Sequence, residues 1–140
     1  LVGNHKHYYD PRNGDLAWCI SSGISNPIGL GVIYMLIGQR LEMDIQGISF
    51  PGHFLCRIIE DGEPIVVDCF DSGKLHAQHV LVDPMNELTP EQRSHLRESA
   101  DLGTILMRIL NNLIDAFRRA DYEEDMELIM EMRDSMTNQK

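Results

Sequence analysis

The chain has 140 residues, 43% of them hydrophobic, which is enough for one domain with a real buried core. Its formal charge of −10, from 12 Lys and Arg against 22 Asp and Glu, excludes binding to a phosphate backbone, which needs clustered cations. The longest apolar run, residues 27–37, is too short and too glycine-interrupted to cross a bilayer, which takes about 20 residues, so neither a nucleic-acid nor a membrane partner is expected.

Residues 1–14 are polar and irregular, and Asp10-Pro11-Arg12-Asn13-Gly14 is a cluster of turn formers. The start at Leu1, without an initiator Met, reads as that of a fragment of a longer protein. Asp15 is placed to cap a short helix through Ile20 that ends near Gly23. A second helix is predicted from about Pro27 to Leu41, with Pro27 in the first turn, where its missing N–H is not needed. This segment is apolar nearly all round and is therefore expected to be central and buried. Its glycines 29, 31 and 38 lower helix propensity and are better read as points of close packing.

A strand is expected around residues 44–49. Next come Phe50-Pro51-Gly52-His53-Phe54-Leu55-Cys56-Arg57 and Ile65-Val66-Val67-Asp68-Cys69-Phe70, joined through Glu60-Asp61-Gly62-Glu63. Asp-Gly between alternating runs signals a hairpin with a type I′ turn. With Asp61-Gly62 as the loop, Glu60 pairs with Glu63, and the ladder runs back to Leu55 opposite Asp68 and His53 opposite Phe70. Alternation then puts His53 and Asp68 on one face as diagonal neighbours. An imidazole oriented by a carboxylate is two-thirds of a nucleophilic triad, and the third member has to be sought elsewhere.

Residues 71–74 read as a loop, and Thr89 with Gln92 has the spacing of a capping box. Two longer helices are predicted at roughly 102–119 and 121–136. The first carries a wide apolar stripe, and the second a methionine-rich stripe that reads as adaptable core. The acidity of the last third, as in Asp121-Tyr122-Glu123-Glu124-Asp125, reads as a solvated helix face.

Three cysteines do not make a secreted disulfide framework and point to a reducing, cytoplasmic setting. Cys56 and Cys69 should face away from His53, and Cys19 lies in a helix beside Trp18, so all three read as small buried hydrophobes. Ser21, Ser22 and Ser25 precede the central helix and are weaker nucleophile candidates. His5 and His7 stand at i, i+2 without flanking ligands, and His76 and His79 lie in a polar stretch. No metal and no cofactor is expected.

The chain resembles the transglutaminase-like, papain-related superfamily, and within it the SirB-type bacterial proteins, whose core also occurs in a eukaryotic F-box protein. The residues that carry the resemblance are Tyr8-Tyr9-Asp10-Pro11-Arg12-Asn13, Asn26-Pro27-Ile28, Val32-Ile33-Tyr34, Arg40-Leu41, Phe50-Pro51-Gly52-His53-Phe54-Leu55, Val67-Asp68 with Phe70, and Ile109-Leu110-Asn111-Asn112-Leu113. The implied fold is α+β: a buried central helix on a small antiparallel sheet, followed by a C-terminal helical hairpin. Residues 1–88 would form the core and 89–140 a helical extension packed on it, as a single compact unit. In active members a cysteine sits at the N-terminus of the central helix, where dipole and free N–H groups favour the thiolate. Placed by its distance from Arg40-Leu41, that position is Gly29, which has no side chain. The resemblance further implies that Arg12 and Asn13 brace the site, and the family's Asp-Pro-Phe reads Asp68-Cys69-Phe70 here. The expected function is that of a non-catalytic domain, a pseudoenzyme serving protein interaction or regulation, with His53 and Asp68 as a remnant dyad. The competing expectation is a cysteine- or serine-type hydrolase or acyltransferase using that dyad with another nucleophile.

Overall fold

The computed structural model describes residues 1–138. The elements in chain order are β1 (Val2–Gly3), a 3-10 turn (Pro11–Gly14), α1 (Leu16–Ser22), β2 (Ile24–Ser25), α2 (Pro27–Arg40) and β3 (Gln46–Ile48). They continue with β4 (Leu55–Glu60), β5 (Glu63–Asp68), β6 (Lys74–Ala77), α3 (Gln78–Leu81), α4 (Pro90–His95), α5 (Leu102–Arg119) and α6 (Glu123–Thr137). The fold is α+β. An antiparallel sheet in the order β3-β4-β5-β6 forms one layer, and a parallel pair, β1-β2, ties the chain start to the residues before α2.

The hairpin has the register its sequence predicts: Glu60 pairs with Glu63 and Cys56 with Val67. Both turn residues have positive φ, 51° at Asp61 and 83° at Gly62, as a type I′ turn requires. Alternation along β4 and β5 gives each sheet face its own apolar cluster. Phe54, Cys56 and Val67 join Ile28, Ile45 and Ile105 on the α2 side. Leu55 and Val66 join Ile48 and Leu96 on the other side, beneath Leu81, Val82 and Leu88.

Local signals set the helix ends. Asp15 accepts from the N–H groups of Ala17 and Trp18, and Gly23 closes α1 in the left-handed region. Asn26 caps α2 through the N–H of Gly29. Thr89 and Gln92 form a reciprocal capping box, and Asp101 caps α5. α2 is buried through its first half, whereas Leu36 and Ile37 near its end are 48% and 49% exposed, so the expectation of burial along the whole helix is corrected there. α6 has no buried residue. Its Met126, Ile129 and Met130 are half-buried, while Met132 and Met136 are exposed, so the methionine stripe does not form core. The segment expected as a loop at 71–74 leads into an edge strand, β6, paired with β5 from Asp68↔Lys74 to Ile65↔Ala77.

The glycines of α2 mark close approach. A Cβ at Gly31 would lie 2.5 Å from Phe54 Cδ1, and one at Gly38 would lie 2.3 Å from Ile45 Cδ1. Both neighbours are buried core side chains that hold the helix on the sheet. Gly31→Leu should therefore over-pack the core and lower stability by ~1–3 kcal/mol. A chemical-denaturation midpoint unmoved by that substitution would contradict this packing.

Candidate functional site

The structure brings His53 and Asp68 together. The imidazole Nε2 lies 2.9 Å from both carboxylate oxygens. Asp68 is the last residue of β5. His53 is not on a strand: it ends the turn at residues 50–53, where its N–H donates to the Phe50 carbonyl and Gly52 takes φ 71°. The register argument succeeds in pairing the two residues, but the strand stops at Leu55, because the turn uses the backbone that the ladder would need.

Two further donors fix the carboxylate: the N–H groups of Phe70 and Asp71 reach Oδ1 at 3.0 and 3.1 Å. Burial alone would push the Asp68 carboxyl up, but the His53 hydrogen bond and these N–H groups outweigh it and hold the carboxyl below its ordinary range. An ionised carboxylate can only accept, so Nε2 is the donor and Nδ1 is the ring nitrogen free of this pair. Orienting a histidine through one ring nitrogen while leaving the other free is the arrangement a general base uses. Phe70 meets the ring edge-on, with centroids 5.9 Å apart. The His53 side chain is 26% exposed. The carbonyl of His53 accepts from Arg108 Nη2 at 2.7 Å, and Arg108 Nη1 reaches Ser49 Oγ at 2.9 Å, so α5 clamps the turn that carries the histidine.

Position 29 faces a different set of groups. The nearest atoms to a Cβ built there are Ser25 Oγ at 2.2 Å, Asn13 O at 2.9 Å and Asn26 Oδ1 at 3.2 Å. Ser25 is fully buried. Its hydroxyl donates to the Asn13 carbonyl at 2.9 Å and accepts from the Cys19 thiol at 3.0 Å. The volume of a nucleophilic side chain is thus already filled by a neighbour. A cavity of about 250 Å³ opens beside Gly29 between the 8–14 segment, α2 and α5, lined by Tyr8, Asn26, Ile28, Ile109 and Leu113 among others. His53 does not line it. The link between cavity and dyad is aromatic: Tyr8 lines the cavity and stacks edge-on with Phe70 at 5.7 Å.

Asn13 holds this corner together. Its Nδ2 donates to the carbonyls of His7 and Tyr8, and its Oδ1 accepts from Asn4. Arg12 points outward, gripping Asp10 with two nitrogens and lying 4.9 Å from the Trp18 ring. Of the remaining candidates, Cys19 and Cys56 are fully buried. Burial raises the Cys19 thiol, against a hydrogen bond to Ser25. A hydrogen bond to Cys69, together with burial, raises that of Cys56. The same hydrogen bond lowers Cys69, which packs with Val67 on the α2 face. His5 lies against Phe70, with ring centroids 4.4 Å apart. Arg108 and the Ser25–Cys19 contact escaped the sequence reading, since neither lies in a motif that announces it.

A family model described as the transglutaminase-like superfamily matches residues 1–111. The chain is 38% identical to a UPF0162 protein of Xylella fastidiosa (strain Temecula1), covering 85% of this chain and 44% of that protein. It is 32% identical to a UPF0162 protein of Vibrio cholerae, with 85% and 45% covered. It is 23% identical to F-box only protein 21 of Homo sapiens, covering 96% of this chain and 22% of that one. The chain therefore spans less than half the length of these relatives. No solved structure matches it significantly.

Because Asp68 is held ionised in the fold, Asp68→Asn should lower stability at neutral pH by ~1–3 kcal/mol. A carboxyl depressed by folding stabilises above its unfolded pKa, and that contribution fades as pH falls through the folded value. The gap between wild type and Asp68→Asn in urea denaturation should therefore narrow in acid. A gap independent of pH would show that the carboxylate charge is not what the pair uses.

Proposed function

The chain belongs to the transglutaminase-like superfamily, and we propose that it is a catalytically silent member serving as a protein-interaction or regulatory module in the cytoplasm. One observation supports this reading: the buried hydroxyl of Ser25 fills the space a side chain would need at Gly29, the position the resemblance assigns to the superfamily's nucleophile. That hydroxyl is spent on the Asn13 carbonyl, which is an acceptor and not a base. The His53–Asp68 pair then acts as a structural lock between the 50–53 turn and the end of β5, with Arg12 and Asn13 holding the segment that covers the α2 N-terminus. The cavity beside Gly29 is mostly apolar with polar side chains at its margin, which suits a side chain of a bound protein.

A second reading draws on the dyad itself. The Asp68 contact orients the His53 ring through Nε2 and leaves Nδ1 free of that pair, which is compatible with a cysteine- or serine-type hydrolase or acyltransferase that uses the dyad with another nucleophile of the chain. Chemical labelling separates the two. With iodoacetamide at neutral pH, Cys69 should react before Cys19 and Cys56, since only its thiol is lowered. Its rate should be unchanged by His53→Ala, and a fluorophosphonate should label no serine. Selective labelling of one cysteine or serine that is lost on His53→Ala would establish a working nucleophile and defeat the silent-module reading.

A further inference from the structure

We propose that the groove between α5 and the 49–53 turn binds the carboxyl terminus of a peptide, with Arg108 as its anchor. The groove has a volume of about 850 Å³ and is lined by Ser49, Thr104, Met107, Arg108, Asn111 and Met136 among others. Arg108 is a half-buried cation on the wall of this groove, bonded only to neutral acceptors. Arg12, Arg118 and Arg133 each have a carboxylate partner, and Arg119 lies on the Tyr9 ring. Arg57 is enclosed by Gln46, Gln78, Ser99 and the Leu96 carbonyl. Arg108 has no acidic partner among the described residues, in a chain with ten more acidic than basic side chains. Its bonds run to neutral acceptors, Ser49 Oγ and the His53 carbonyl. A guanidinium has five N–H donors, so three remain for a ligand. Burial disfavours its charge, opposed by the nearby Tyr8, and a bound anion would relieve that cost.

The chemistry around the guanidinium selects the class of anion. Asp101 also lines the groove, its carboxylate taken by the N–H of Thr104 at 2.7 Å. A carboxylate on the same groove repels a phosphate dianion more than it repels a monoanion. Planar fork geometry matches a carboxylate. Thr104 and Asn111 offer polar groups for the last peptide unit, and Met107 and Met136 offer adaptable apolar surface for its side chain. A peptide carboxyl terminus brings these three elements together in one short segment.

The inference stands apart from the silent-nucleophile reading, because carboxylate binding here needs neither Gly29 nor a reactive dyad. The test is an NMR titration of the chain with acetyl-Leu-Leu as free acid and as amide. The acid should shift the amides of Ser49, Gly52, Thr104 and Asn111, and the amide should not. Arg108→Lys should weaken the acid roughly tenfold, because a point charge replaces the fork. Arg108 also clamps the turn, so a second variant leaves it in place. Thr104→Glu puts a carboxylate one helical turn before Arg108, at i, i+4, and should abolish peptide binding while keeping or raising Tm. Any one of four results would overturn the proposal: no shift at concentrations on the order of 10 mM, equal shifts by acid and amide, equal shifts by inorganic phosphate or acetyl-Glu-amide, or undiminished binding to Thr104→Glu.

Discussion

α2 lies where it does because three of its residues have no side chain. At Gly31 the Phe54 ring occupies the space of a Cβ, and at Gly38 the Ile45 side chain does so. These contacts fix the depth of the helix on the sheet and seat Phe54 and Ile45 in one cluster with Ile28, Cys56, Val67 and Ile105. The same device at the helix start has a chemical consequence. Ser25 occupies the side-chain space of Gly29 and binds the Asn13 carbonyl, so the first turn of the helix is closed by structural hydrogen bonds.

The candidate site is built into the frame rather than hung on it. Asn13 joins the segment from Asn4 to Tyr8 to the N-terminus of α2, using its side chain for three hydrogen bonds and its carbonyl for Ser25 and Cys19. Asp68 receives His53 and two backbone N–H groups, and Arg108 holds the His53 carbonyl from the other side. Each polar group is positioned by a neighbour with its own structural duty. Such a site keeps its geometry through packing and hydrogen bonds alone, whether or not a reaction depends on it.

What could be read in the sequence was what short-range physics decides. Asp61-Gly62 fixed the hairpin register, Asp15 and Gly23 bounded α1, Thr89 and Gln92 formed the cap they announce, and the stripe from Leu102 set the span of α5. The register also found the His53–Asp68 pair, although Gly52 turns the chain so that His53 precedes the strand. Contacts that depend on the assembled fold stayed out of reach. The β1-β2 bridge is two residues long in each strand, too short for any periodicity. Ser25 under Gly29 and Arg108 under the His53 turn join segments that only tertiary packing brings together. The methionines of α6 have the spacing of a core stripe, but they cover α5 at the edge of the fold, where burial is partial.

The central claim is that Ser25 fills the side-chain space of position 29. A double-mutant cycle between Gly29→Cys and Ser25→Ala, read by denaturation midpoints, measures that directly. The predicted result is that Gly29→Cys destabilises strongly on its own and far less in the Ser25→Ala background, with a favourable coupling of ~1–3 kcal/mol. Strictly additive effects would mean that the two positions do not share that space, and would contradict the account.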